Sequence, residues 1–242
     1  MPEINFFGRT DVGLVRPNNE DSLLADPVAK FCLVADGMGG AAAGETASRI
    51  FVQATNELFN GLQAPSEQCA LEMVQNAFQG ANDRILDHVK AFPQHQGMGC
   101  TAELLVFAEN KFVIGHMGDS RTYRMRGSHL KQLTKDHSLV QDQLDQGIIT
   151  QQEARSHAMR NVILRAVGVR PSPAVDILQG AVSRGDLFLL CSDGLTDLVE
   201  DLVIANVLEP DATLSEKVDQ LIDFAKQAGG KDNITVMLAR VF

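Results

Sequence analysis

The sequence has no tryptophan, one tyrosine and four cysteines among 242 residues. Cys32, Cys69, Cys100 and Cys191 form no CxxC pair, so neither a zinc ribbon nor a dithiol redox motif is present. Buried, reduced thiols are the expected state. Nor does any cysteine have an arginine six residues on; those positions hold Met38, Gln75, Val106 and Asp197. A cysteine-nucleophile phosphatase of the usual form is thereby excluded. GxxxxGK[ST] and HExxH are absent too, and the six histidines are scattered. His88 and His95 stand seven apart, but Pro93 between them is expected to spoil a shared helical face.

Basic charge is also scarce. Lys plus Arg number 21 against 31 Asp plus Glu, a net charge of −10. Such a surface repels phosphate backbones and anionic bilayers, which argues against nucleic-acid and membrane partners. No apolar run reaches the roughly 18 residues that a spanning helix needs. The opening MPEINFFGRT has neither a basic region nor a long apolar stretch, so no signal peptide is read and a cytoplasmic location is expected. With 45% hydrophobic and 21% charged residues, the composition is ordinary and globular. Disorder, collagen and coiled coil are excluded, and the length suits one large domain.

No internal repeat, low-complexity segment or linker interrupts the chain. Ile4 to Thr10 and Phe31 to Ala35 read as strands, the second short, apolar and buried. Ala43, Ala47, Ile50, Phe51, Ala54 and Leu58 then recur at helical spacing, and Asn60-Gly61 closes that helix. Leu71, Val74, Phe78, Ala81, Ile85 and Val89 mark a second helix with no strand between the two. Strands follow at Leu104 to Phe107, Phe112 to His116 and Arg121 to Met125. Asp136 to about Ala158 is polar and weakly helical. Asp186 to Cys191 reads as a buried strand, Val199 to Leu208 and Leu214 to Ala228 as helices, and Ile234 to Val241 as a closing strand. Hairpin-like strands with paired helices indicate an α+β layered sandwich rather than βαβ winding.

The aspartates fall at the strand ends. Asp36 and Asp193 each end an apolar run and precede glycine, in VADG and CSDG. Asp119 follows a strand in GHMGDS, Asp232 precedes the last strand in GGKDN, and Asp21 closes NNED. Asp-Gly is also a common turn, so each pair alone is ambiguous. Carboxylates at buried strand ends need compensation from water or a cation. Several converging acids without clustered lysine favour a divalent ion, and oxygen-only donors favour Mg²⁺ or Mn²⁺ over zinc. Two such ions about 4 Å apart would clamp a phosphoryl group. A competing motif overlaps the first acid: Gly37 to Ala42 fits GxGxxA, with Glu57 about 20 residues on, as in dinucleotide sites. Asp36 beside a pyrophosphate and the second helix both weaken that alternative.

Taken in order, RPNNED, VADGMGG, GCTA, GHMGDSR, CSDGL and GGKDNIT resemble the metal-dependent protein Ser/Thr phosphatases of the PP2C type, in their compact bacterial form. The resemblance covers nearly the whole chain. It implies a four-layer αββα sandwich, two antiparallel β-sheets flanked by helix pairs, as one domain over residues 1–242 without an appended domain. The implied chemistry is hydrolysis of phosphoserine and phosphothreonine in proteins by metal-activated water, opposing a bacterial Ser/Thr kinase. Asp36 would bridge two Mn²⁺ or Mg²⁺ ions, the Gly37 carbonyl would ligate one, and Asp193 and Asp232 would complete the other site. Glu20 and Asp21 would hold metal-bound waters. Asp119 matches the acid of a third, weaker ion. Arg16 matches the arginine that grips the substrate phosphate, for which a guanidinium fork is suited. Asn233 is given a supporting role.

Met38 and Ala41 stand where relatives often carry histidine, which leaves the general acid open. His116 and His137 lie near matched motifs and are expected to be structural. Thr134 to about Arg170, with Gln141, Gln143, Gln146, Gln151 and Gln152, corresponds to the family's flap and is either a solvated excursion or a substrate-selecting element. The expected partner is a phosphorylated protein, and a monomer is the default expectation. A second hypothesis keeps the fold and metals but signals by docking; the intact acids favour the enzyme.

Overall fold

The computed structural model describes residues 2–39, 43–155, 157–209 and 211–242. The chain opens with strands β1 (Ile4–Asp11), β2 (Asp21–Asp26) and β3 (Phe31–Met38) and continues into helices α1 (Ala43–Phe59) and α2 (Glu67–Ala91). A 3₁₀ turn at Pro93–His95 leads to β4 (Gly99–Cys100), β5 (Ala102–Ala108), β6 (Lys111–Met117), β7 (Arg121–Arg126) and β8 (His129–Gln132). Short helices α3 (Leu139–Asp145) and α4 (Gln151–Arg155) follow, then β9 (Asp176–Ala181) and β10 (Leu187–Cys191). Helices α5 (Asp193–Thr196), α6 (Asp201–Leu208) and α7 (Leu214–Gln227) precede β11 (Ile234–Val241).

One sheet runs β1-β11-β10-β7-β8 and the other β2-β3-β5-β6-β9, with β4 beside β3. All pairings between these strands are antiparallel. Three apolar layers hold four structural layers together. Val34, Leu105, Ile114, Phe188, Leu190 and Met237 fill the gap between the sheets. Phe188 meets Phe107 and Phe112 edge-on at 5.4 and 5.1 Å, an arrangement that adds to plain area burial. α1 and α2 cover one outer face through Phe51, Val74, Phe78 and Ile85, and α5 to α7 cover the other through Leu195, Ile204, Val218 and Leu221. The αββα sandwich expected from the motifs is therefore present.

Local signals set the helix ends. Ser66 caps α2 by accepting from the Cys69 amide, and Thr213 with Glu216 forms a full capping box on α7. Lys217 reaches from α7 to donate to the Val207 and Leu208 carbonyls at the end of α6, satisfying groups that the helix leaves orphaned.

The polar stretch after Asp136 is weakly helical as expected, holding the short helices α3 and α4, the first supported by Gln141–Asp145 and Gln146–Asp142 pairs. Several sequence expectations need correction. β2, β8 and β9 are edge or second-layer strands whose mixed polarity carries no clear alternation. Cys69 is exposed, whereas Cys32, Cys100 and Cys191 are buried, and all four are free thiols. His88 and His95 do meet: the 3₁₀ turn folds His95 back, with Nε2 and Nδ1 2.9 Å apart. Among the described residues no helix is long and apolar enough to cross a membrane.

Candidate active site

Antiparallel registry brings the acids together. Asp21 at the start of β2 pairs with Asp36 near the end of β3. Asp193 follows β10, Asp232 precedes β11, and Asp119 sits in the β6–β7 turn. Neither Asp-Gly pair is a simple turn. Asp36-Gly37 lies inside β3, and Asp193-Gly194 opens α5 after Ser192. Both glycines are demanded by close approach. A Cβ on Gly37 would lie 2.1 Å from the Gly44 carbonyl oxygen, and one on Gly194 would lie 1.9 Å from that of Asn233.

The two sheets are cross-linked at this end by hydroxyls. Ser192 and Thr235 donate to Asp21 Oδ2 at 2.8 and 2.6 Å. The Thr235 hydroxyl is in turn 2.6 Å from that of Thr10, and Asn19 donates to the Thr10 hydroxyl. Thr101 binds Asp36 through its backbone amide to the Asp36 carbonyl, and its hydroxyl lies 2.6 Å from Ser120. Asn233 stitches the loop before β2 to the strand after Asp232. Its amide donates to the Val12 and Asn18 carbonyls, and its oxygen accepts from the Glu20 amide. That loop carries Arg16, whose Nη2 lies 2.7 Å from Asp232 Oδ2.

Crowding shows in the proton affinities. Burial, then the charges of Asp21, Asp193, Asp119 and Asp232, push Asp36 well above the usual carboxylate range. Asp193 is pushed up by burial and then by Asp119, Asp197, Asp232 and Asp21. Burial raises Asp21 to about 6 against the Thr235 and Ser192 hydrogen bonds. Asp119 rises to about 7 through burial and then Asp136. Glu20 is raised by burial, with Arg16 opposing. Groups displaced together toward neutrality within one cleft mark a functional site.

A cavity of about 440 Å³ adjoins Asp119 and Asp193 and is also lined by Ser138, Gln141, Gln151 and Arg160. Arg160 Nε lies 3.5 Å from Asp197, which ties the 134–170 segment to the end of α5. The dinucleotide alternative fails on topology. β3 is flanked by antiparallel strands, not by the parallel βαβ unit which that fingerprint requires; Gly40, Ala41 and Ala42 lie outside the described residues. His116 has both ring nitrogens engaged, by Glu103 and by the Lys135 carbonyl. His137 accepts from the Gly118 amide. Neither reaches the acid cluster with a free nitrogen.

The protein phosphatase 2C family model matches residues 17–239. This chain belongs to that family. The PP2C fold accounts for the sandwich and for its acid-lined end. The chain is 40% identical over 240 residues to the Serine/threonine protein phosphatase PstP of Mycobacterium tuberculosis, covering 98% of this chain and 45% of that protein. It thus spans about half the length of this curated relative. It is 37% identical over 234 residues to the Serine/threonine phosphatase stp of Listeria monocytogenes, covering 95% and 93%. The crystal structure of Mycobacterium tuberculosis PstP superposes with a TM-score of 0.91 at 37% identity, covering 99% of each chain. A PstP catalytic-domain structure contains two manganese ions; it matches at TM-score 0.91 and 36% identity, over 100% of this chain and 99% of that one. Arg16 falls one residue before the span matched by the family model.

The donor set of the PP2C-like centre fits hard divalent ions. Asp21 Oδ1, Asp119 Oδ1 and Asp193 Oδ1 are buried without a hydrogen-bond partner among the described residues, a costly state for carboxylate oxygens. Among those residues no group of three or more His, Cys, Asp or Glu side chains is spaced to hold a metal ion by itself. An open array of oxygen donors suits ions that keep several waters. The sequence pattern located the acids but missed the Ser192, Thr235 and Thr101 hydroxyls that hold them; their only signal was adjacency to the acid motifs.

Proposed function

We propose that this chain is a divalent-metal-dependent protein phosphatase that hydrolyses phosphoserine and phosphothreonine. The observation that carries this reading is the convergence of five aspartates and Arg16 from separate segments, with three buried carboxylate oxygens unpartnered among the described residues. Asp36, the Gly37 carbonyl, Asp193 and Asp232 would hold two Mn²⁺ or Mg²⁺ ions, with Glu20 and Asp21 around them and Asp119 serving a third. When bound, such ions would supply charge neutralisation at the phosphoryl oxygens and a hydroxide nucleophile near neutral pH. Asp21, pinned through Oδ2 by Ser192 and Thr235, presents Oδ1 to accept a hydrogen bond from water. Arg16 is half-exposed; its guanidinium releases Asp232 and takes two phosphate oxygens at once. Met38 has no transferable proton and His116 and His137 are engaged elsewhere, so none of these three protonates the leaving alkoxide; a water or another group of the cleft does. The flap, residues about 134–170, forms the far wall of the cleft and contacts the substrate polypeptide. The substrate is a phosphoprotein made by a Ser/Thr kinase, in the cytoplasm.

The test is phosphate release from a phosphothreonine peptide by the wild type and Asp36→Ala, each with Mn²⁺ and with EDTA. Release that needs both Mn²⁺ and Asp36 is the expected result. No release from a folded protein that binds Mn²⁺ would turn the assignment toward a docking module.

A further inference from the structure

We infer that His137 is a positioning residue that clamps the Gly118–Asp119 turn to the base of the 134–170 segment. The inference rests on the phosphatase reading for its kinetic consequence, and on hydrogen bonding for its geometry. His137 meets Gly118 twice. Its backbone amide donates to the Gly118 carbonyl at 2.7 Å, and its Nδ1 accepts from the Gly118 amide at 3.2 Å. Its carbonyl accepts from the Leu164 amide at 2.7 Å, where the segment returns. Because Nδ1 accepts, the ring proton sits on Nε2, which faces Asp176 Oδ2 at 3.2 Å. Arg165 Nη1 also lies 3.2 Å from Nε2 and donates to Asp176 Oδ1 at 2.9 Å.

The other face of the ring is fixed as well. It packs on His116 with centroids 4.5 Å apart, and His116 is immobilised by Glu103 and the Lys135 carbonyl. Gly118 has φ of +114°, and a Cβ there would lie 2.5 Å from Thr101. The turn is thus wedged between Thr101 and His137. One residue therefore steadies an acid's turn through its ring and anchors the cleft wall through its backbone, which makes a small displacement costly to catalysis.

Three variants separate the roles. His137→Phe keeps the stack on His116 and loses both polar contacts. His137→Asn places an amide oxygen where Nδ1 stands, and His137→Gln extends its amide toward Asp176. For Phe the expected results are about tenfold faster exchange of the Gly118 amide and about a tenfold lower kcat, the worth of one buried hydrogen bond. The loss appears on both a phosphothreonine peptide and a small aryl phosphate, with KM nearly unchanged. Asn restores exchange protection and kcat; Gln does not. Unchanged exchange and kcat in Phe overturn the inference, and so does recovery by Gln but not by Asn. Should Phe fail to fold, the contrast of Asn with Gln decides. If the wild type hydrolyses neither substrate, the phosphatase reading falls and Gly118 exchange alone decides the clamp.

Discussion

Removing the Asn233 side chain tests how the site is assembled. Asn233 is 5% exposed and makes three hydrogen bonds to residues more than 200 positions away, at 3.0, 2.9 and 2.8 Å. They fasten the loop carrying Arg16 and Glu20 to the strand that follows Asp232. Each bond contributes about 1 kcal/mol net. The Val12 and Asn18 carbonyls sit on exposed residues and regain water in Asn233→Ala, whereas the Glu20 amide is half-buried and regains less. A loss of about 2 kcal/mol follows, or a melting temperature lower by about 4–8 °C for a chain of this size. Activity suffers more than stability. The released loop carries the phosphate-gripping arginine, and misplacement by about 1 Å costs on the order of 100-fold in kcat/KM. Asn233→Asp separates the contributions, because it keeps the acceptor for Glu20 but loses both donors and adds charge beside Asp232. It is expected to melt no higher than Ala. Thermal unfolding and phosphate release from a phosphothreonine peptide, run on the same preparations, check both effects. An Ala variant that melts within about 1 °C of wild type with full kcat/KM would refute the reasoning.

Two further outcomes follow from the buried charges. Asp193 is crowded by burial and four acids, so Asp193→Asn should melt higher than wild type in EDTA while losing phosphate release. Wild type at about 100 times Kd of Mn²⁺ should gain about 2.7 kcal/mol, and a comparable gain in Asp193→Asn would contradict its ligand role. Burial alone would lower the proton affinity of His116, but the Glu103 carboxylate outweighs it and raises His116 to about 9. Between about 6.5, the unfolded value, and about 9 the folded chain binds this proton more than the unfolded chain does. The contribution of the His116 proton to stability is therefore full below 6.5 and lost as pH rises through 9. Urea unfolding at pH 6.5 and 9 should show a steeper decline for wild type than for Glu103→Gln, and equal declines would remove the ion pair from the account.

What the sequence revealed and what it concealed divide along a physical line. Continuous apolar runs such as FCLVA mark strands buried on both faces, and helical spacing along α1 and α2 marks the outer layer. Both kinds of pattern are local, so these elements were legible. Edge strands β8 and β9 face solvent on part of their surface and carry no alternation, so nothing in HLKQ or DILQGA sets them apart from a loop. Among the acids, glycine after Asp36 and Asp193 looked like turn chemistry. In the folded chain each glycine is there because backbone of another segment, the start of α1 at Gly37 and the residue before β11 at Gly194, occupies the place of a Cβ. The supports were hidden for a related reason. Ser192 and Thr235 act on the site through Asp21, 171 and 214 residues away, and no window along the chain contains both partners. The chemistry-bearing residues are readable because type and spacing constrain them. The residues that hold them are fixed by registry between sheets, which exists only once both sheets have formed. Variants of Ser192, Thr235, Asn233 and His137 should therefore alter activity through geometry, leaving intact the ionisable groups that the motifs announce.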